Sequence, residues 1–415
     1  MRKPSLFRGL LGLSLALNLG LNLLPGNNTA ARAETQAKQS PDQSQTRAFA
    51  LPTTDGKATL YGQLDLPATT SGKVPLVVMT AGSGLFDRDV RFGAADDPRS
   101  MLFKHLSQQL NARGVATLRY DYRGVCHMAA LPACTDCQTP QEKACYMAAK
   151  SFDNSVRAGV NPDNIRADLL QAYNWGSAQT KIDTMRVVVL GHSEGSVHTA
   201  RLLKDKAFKP SGVVLIGGLY ESPGKLIEWQ MVTRMLTQIM QADANGDNKV
   251  SSAELTAYHP QNDLLQMYPL QVLLPPEGHW TTESLKAVLE AQYAVQKNQA
   301  LSSDDSAPFG GQGGGVVQAS MAWWKMFFAE SPTLASWFHA GGVPVINHLG
   351  DRDSQISPIR QQQALQALPA DHQLKIVDHP GQGHALGPHM LMGPMSEASE
   401  KPLLDSIMAL LKQKG

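Results

Sequence analysis

The segment Gly191-His192-Ser193-Glu194-Gly195 follows an apolar run, Val187 to Leu190, and leads into a helix-like stretch. A serine between two glycines at a strand-to-helix turn presents its hydroxyl on a sharp bend, with no side chain blocking the approach, so Ser193 is a candidate covalent nucleophile. GxSxG alone is weak evidence. The strand VVVL before it and the small residues Gly195, Ser196 and Ala200 after it supply the context the motif needs.

A serine hydroxyl is a poor nucleophile at neutral pH and needs a base to take its proton and a third group to orient that base. The chain has 12 histidines. His384, in Pro380-Gly381-Gln382-Gly383-His384, follows the last expected strand, from where a loop can reach over the carboxyl edge of a parallel sheet. It is read as the general base, with His372 and His379 as local competitors. For the acid, Gly350-Asp351-Arg352-Asp353 closes an earlier strand. Asp353 is preferred because Gln355 to Pro358 begin the next helix and leave its side chain at the loop apex, whereas Asp351 reads as a turn or capping residue. The oxyanion of an acyl-transfer transition state needs preorganised donors. Glu194 offers the backbone N–H after the nucleophile, and Ala81-Gly82-Ser83-Gly84 offers a second, assigned to Ser83 with Gly84 as alternative.

A second motif lies between residues 243 and 254. Asp243, Asn245, Asp247, Ser251 and Glu254 place oxygen side chains at loop positions 1, 3, 5, 9 and 12, with the Lys249 carbonyl at 7 and apolar Val250 at 8. That spacing resembles an EF-hand loop and implies a structural Ca2+ ion; the competing reading is a solvated acidic turn. Asn248 stands where glycine is usual, and asparagine also tolerates left-handed dihedrals. No second loop of this pattern follows. Affinity nearer that of extracellular modules than of cytosolic sensors is therefore expected.

Cys126, Cys134, Cys137 and Cys145 are the chain's four cysteines. An even cluster in an exported chain favours two disulfides of undetermined pairing; a four-thiolate zinc site, suggested by the CxxC spacing of Cys134 and Cys137, is the rival.

The elements that must position these groups alternate. A β-hairpin is expected from Ala48 to Leu51 and Ala58 to Leu66. Strands follow at Val74 to Met79, Val115 to Tyr120, Val187 to Leu190, Val213 to Gly217, Val343 to Leu349 and Leu374 to Val377, separated by helix-like stretches. Such alternation makes an α/β fold with a mostly parallel sheet and helices on both faces. Residues 220–342 break the pattern with helical Met/Leu/Trp segments and the flexible run Gly310 to Gly315, and read as an inserted helical cap. The organisation expected is a signal peptide over 1–33, a flexible lead-in over 34–46, core over 47–219, cap over 220–342 and core again over 343–415.

With the order Ser193, Asp353, His384 and this alternation, the chain resembles the α/β-hydrolase superfamily over nearly all of its mature length. AGSGLFDRD resembles the HGSGPxDRD segment of esterase- and peptidase-like members, with Ala81 for the usual histidine and Leu85 for the usual proline. RYDYRG resembles their RxDxRG segment, and GDRDSQISP matches GxxDxxVP with its acid on Asp353. The resemblance implies a serine hydrolase acting through an acyl-enzyme on a small ester or acyl substrate. Asp87, Arg88, Asp89, Asp121 and Arg123 are expected to form a structural ion-pair network.

A basic start (Arg2, Lys3, Arg8), an apolar stretch from Leu10 to Leu24 and Ala31-Arg32-Ala33 read as a secretory signal, so a periplasmic or secreted protein is expected, with no stable membrane span after cleavage. About 380 residues then remain, enough for one large domain with an insertion. A formal net charge of +1 gives no reason to expect nucleic acid. The oligomeric state is not legible. A carboxylesterase is the first reading, a serine peptidase or acyl-peptide hydrolase the second, and a non-catalytic calcium-dependent binding protein on a hydrolase scaffold the third.

Overall fold

The computed structural model describes residues 45–68, 72–92, 97–131, 135, 138, 150–311, 315–391 and 393–412. The expected signal peptide, most of the lead-in, and Cys134, Cys137 and Cys145 lie outside the described residues. The strands are β1 (Gln45–Pro52), β2 (Thr59–Leu66), β3 (Val74–Thr80), β4 (Ala116–Tyr120), β5 (Ile182–His192), β6 (Gly212–Ile216), β7 (Lys249–Ser251), β8 (His279–Thr281), β9 (Pro308–Gly310), β10 (Val317–Ser320), β11 (Val345–Gly350) and β12 (Leu374–His379). The helices used below are α1 (Leu102–Asn111), α2 (Pro162–Ser177), α3 (Gly195–Lys204), α4 (Pro223–Glu228), α5 (Met235–Met240), α6 (Ser252–Tyr258), α7 (Thr282–Ser302), α8 (Met321–Lys325), α9 (Leu334–Gly341), α10 (Pro358–Gln366) and α11 (Glu397–Lys412).

Eight strands form one sheet in the order β1-β2-β4-β3-β5-β6-β11-β12. The hairpin β1/β2 and the pair β2/β4 are antiparallel, and every other neighbour is parallel. β3, β4 and β6 are buried at every residue, as the continuous apolar runs of strands covered on both faces require. β1, at the edge, is exposed at most positions and starts at Gln45, inside the stretch expected to be a flexible lead-in. An edge strand needs little apolar pattern, so its polar residues conceal it.

From β3 the chain runs to β4 on one side, then returns to β5 on the other side of β3. The connections leaving the carboxyl ends of β3 and β5 therefore diverge, and the crevice between them is the topological switch point where open α/β sheets bind ligands. Pairing of Thr80 with Gly191 brings Gly82 beside Ser193.

A second group of buried apolar residues, among them Ile227, Met235, Val250, Trp280, Leu289 and Trp324, forms its own core over the sheet's carboxyl edge. The chain enters this region through Tyr220 and Glu221, whose N–H groups both donate to Gln361 Oε1 on α10 at 2.7 and 3.0 Å. Arg360 clamps the Glu221 carboxylate at 2.5 Å. α4, a π-helical segment Trp229–Arg234 and α5 run end to end into the loop at 243–254, which α6 closes. β7 of this loop pairs antiparallel with β8, setting buried Val250 opposite buried Trp280, and α7 follows β8 directly. β9 and β10, which flank part of the glycine run, pair antiparallel. α9 packs back against α3, and its Leu334, Ala335 and Phe338 belong to the main core.

Candidate active site

Ser193 lies in the turn between β5 and α3 with φ of 50°, a left-handed value that is strained for a residue with a Cβ. Its backbone is held on both sides. The Ser193 N–H donates to Ile216 O at 2.9 Å, and its carbonyl accepts from Ser196 Oγ at 2.6 Å. Two glycines make the turn possible by close approach. A Cβ on Gly195 would lie 2.7 Å from Thr80 O, and one on Gly82 would lie 2.6 Å from Ser193 Cβ. The backbone of the loop after β3 is thus pressed against the serine, as a second oxyanion donor requires. Among the described residues, neither the Ser83 nor the Glu194 backbone N–H is consumed by a hydrogen bond.

His384 and Asp353 come from the loops after β12 and β11. His384 Nδ1 meets Asp353 Oδ2 at 2.8 Å, with the Asp353 side chain fully buried. The other carboxylate oxygen accepts the N–H groups of Gln355 at 2.7 Å and Ile356 at 2.9 Å, so the acid cannot rotate away. A carboxylate on Nδ1 places that proton there and leaves Nε2 as the acceptor for a hydroxyl. Asp351 instead accepts from Gly381 N at 2.7 Å and ties the acid loop to the base loop. Ser193 and His384 line one cavity of about 120 Å³ with Ser83 and Glu194; no hydrogen bond joins the two side chains in this geometry. Its walls are largely apolar, including Phe86, Phe92, Leu226, Trp323, Trp324 and Phe327.

Of the histidines that compete for the base, His379 faces away, bonded at 2.8 Å to His348, and His372 Nδ1 accepts from Leu374 N at 3.3 Å. His192 lies between the Phe92 and His384 rings, 5.0 and 4.9 Å away, with both nitrogens unpartnered. Burial, and then the neighbouring His384, push its pKa well below the usual histidine value, so it stays neutral.

Charged residues at 87–123 form a buried lattice beneath the site. Arg88 pairs with Asp121 at 2.5 Å, Arg119 with Asp89 and with Asp65 at 2.9 Å, and Arg123 with Asp168 at 2.6 Å and Asp55 at 2.5 Å. Asp87 accepts from Met128 N at 2.9 Å. Burial, followed by the repulsion of Asp89 among opposing hydrogen bonds, raises its pKa. Near this lattice Cys126 is an exposed, free cysteine, and its expected partners lie outside the described residues. Burial, then Asp121 and Asp153, raise its pKa and keep it a thiol.

In the loop at 243–254, Asp243 accepts from Gly246 N and Asn248 N, each at 2.8 Å, Asn245 from Asp247 N at 2.9 Å, and Asp247 from Lys249 N at 2.9 Å. Glu254 Oε2 accepts from Ser251 N at 2.9 Å and from its hydroxyl at 2.7 Å, capping α6. Asn248 is left-handed, with φ of 62°. Among the described residues no three Asp, Glu, His or Cys side chains converge as a metal cluster.

Three groups of the site escape the sequence motifs. The Glu194 side chain, Trp323 and the cap arginine Arg234 are all buried. Arg234 Nη1 donates to Ser354 O at 2.7 Å beside the acid, and Gln230 Nε2 donates to Gln355 O at 2.8 Å. They project from a π-helical segment, a local distortion frequent at functional sites. The only signal in the sequence was a glutamate directly after the nucleophile, four residues before His198 on the same helix.

No protein-family model matches the chain, and no curated protein does. Among solved structures it is similar to the alpha/beta hydrolase GrgF from Penicillium sp. sh18, at 14% identity over 89% of this chain and 99% of that one, TM-score 0.45. Est1E from Butyrivibrio proteoclasticus with ferulic acid bound aligns at 12% identity over 88% and 100%, TM-score 0.47. The esterase domain of a Rhodothermus marinus protein aligns at 13% identity over 89% and 100%, TM-score 0.41. The architecture itself rests on the strand order. A mostly parallel eight-stranded sheet flanked by helices, with the serine turn at its switch point and the helical insertion after β6, is of the α/β-hydrolase kind.

Proposed function

We propose that the protein is an exported serine hydrolase, a carboxylesterase acting through Ser193, His384 and Asp353. The observation that carries this reading is the left-handed Ser193 in one cavity with His384, whose Nδ1 is held by a fully buried Asp353. His384 Nε2 takes the hydroxyl proton as Ser193 Oγ bonds to the acyl carbon, and the carbonyl π electrons move onto oxygen. That oxyanion is received by the N–H groups of Ser83 and Glu194. Collapse breaks the bond to the alcohol oxygen, which takes the proton from His384. Water then repeats the sequence on the acyl-enzyme and releases the acid.

Ester rather than amide chemistry rests on the cavity walls. Aromatic and aliphatic side chains surround Ser193, and among the described residues that line the cavity no acidic side chain stands free to take an amino terminus. The protein should therefore hydrolyse p-nitrophenyl esters of short apolar acids, with aminoacyl p-nitroanilides turned over far more slowly. The opposite preference would make it a peptidase.

We infer further that the loop at 243–254 holds a structural Ca2+ ion through Asp243, Asn245, Asp247, Ser251, Glu254 and the Lys249 carbonyl. The bound ion would supply positive charge that draws these oxygens together. Left-handed Asn248 and buried Val250, paired opposite Trp280, support the reading by giving the loop its turn and its anchor.

A further inference from the structure

The residue after the nucleophile is a glutamate buried with its carboxylate between three donors. Glu194 Oε1 accepts from Trp323 Nε1 at 2.7 Å and from His198 Nε2 at 2.8 Å, and Oε2 accepts from Ser83 Oγ at 2.5 Å. The donors come from three different places: α8 over the site, α3 behind it, and the loop after β3. The two residues whose backbone N–H groups face the oxyanion are therefore also joined side chain to side chain, and the third side of that joint is a tryptophan of the inserted region.

A buried carboxylate beside an oxyanion hole opposes the charge the hole must receive unless its own charge is spread over donors. Burial pushes the Glu194 pKa up, but the hydrogen bond and charge of His198, then the hydrogen bonds from Ser83 and Trp323, outweigh it and lower the pKa, keeping the group ionised. Withdrawing the indole N–H would return charge toward the hole and loosen the carboxylate that holds Ser83.

Building on the serine-hydrolase reading, we propose that Glu194 is a positioning residue through which the seating of Trp323 sets the oxyanion hole. Turnover is then coupled to closure of the inserted region: a substrate that leaves Trp323 seated reacts fast, and one that displaces it binds but reacts slowly.

The test compares the parent with Trp323→Phe, Glu194→Gln and the double variant in the full chain. Each is assayed for ester kinetics and for inhibition by a trifluoromethyl ketone and its matching secondary alcohol. Ser193 Oγ adds to the ketone carbon, the proton goes to His384, and the alkoxide occupies the hole; the alcohol fills the cavity without reacting. Trp323→Phe should lower kcat by about tenfold with KM nearly unchanged, and weaken the ketone by a similar factor while sparing the alcohol. The double variant should lose little more than the worse single one, because both changes break one joint. Equal weakening of ketone and alcohol, or multiplying losses, would overturn the coupling. If Glu194→Gln does not fold, Trp323→Phe and Ser83→Ala carry the same comparison. A parent that neither cleaves esters nor binds the ketone would instead overturn the serine-hydrolase reading itself.

Discussion

The polar groups around Ser193 and those in the loop at 243–254 are gathered by different means. Ser193, Asp353 and His384 are far apart in the chain and are brought together by the ends of β5, β11 and β12, on a sheet whose strands β3, β4 and β6 are buried at every residue. The loop collects its oxygens within one short segment through backbone N–H to side-chain contacts, and most of it faces solvent. The first arrangement borrows its precision from the whole fold. The second has only local contacts and the Val250–Trp280 anchor, so an ion can contribute much of its order. Substitution at the triad should therefore cost chemistry and spare the fold, and substitution in the loop should do the reverse.

The largest effect is expected at the nucleophile. Ser193→Ala should lower kcat by roughly 10⁴- to 10⁶-fold, because triad members act as a unit, while the melting temperature stays close to the parent's. Ester turnover and thermal unfolding of the same preparation check both halves, and a fall in both would erase the contrast between the regions. Next comes the acid. Asp353→Asn should lower kcat by about 10³- to 10⁴-fold, whereas Asp351→Asn, which weakens only the contact to Gly381 N, should cost less than about tenfold. The reverse ranking would move the acid to Asp351.

Calcium should act on stability. In the parent, saturating Ca2+ should raise the melting temperature above that in chelator, with half-saturation near roughly 0.1 to 1 mM, and leave kcat almost unchanged. Glu254→Gln should weaken this response. No calcium-dependent difference in the parent, with no metal by elemental analysis, would leave the loop an acidic turn.

The smallest effect is acid sensitivity. Burial, then the neighbouring His379, lower the His348 pKa from 6.5 to about 3, and burial lowers that of His379. Between those values the unfolded chain binds more protons than the native one. This contribution is therefore fully present above pH 6.5 and is lost as pH falls toward 3. His348→Gln should flatten the dependence of melting temperature on pH between 7 and 4.5, measured against the parent; parallel curves would exclude the pair as its source.

Much of this was legible in the sequence for a physical reason. Val187 to Leu190 and its counterparts are continuous apolar runs because both faces of the sheet are covered, and the GxSxG spacing marks a turn that few other residues permit. What stayed hidden depends on contacts remote in the chain or on elements too short for a period. Glu194 looks like a helix-start carboxylate until Trp323, Ser83 and His198 are placed around it. The three-residue strands Lys249–Ser251 and His279–Thr281 carry no alternation to read. Gln45 begins a strand inside a polar stretch because that strand is an edge.

The central claim is that Ser193 is a nucleophile activated by His384. Incubation with a fluorophosphonate, in which Ser193 Oγ displaces fluoride at phosphorus, followed by peptide mass mapping, tests it most directly. One adduct on the peptide carrying Ser193, absent in Ser193→Ala and strongly slowed in a folded His384→Ala variant, is the expected result. An esterase-active parent that stays unlabelled, or carries the label on another residue, would contradict it.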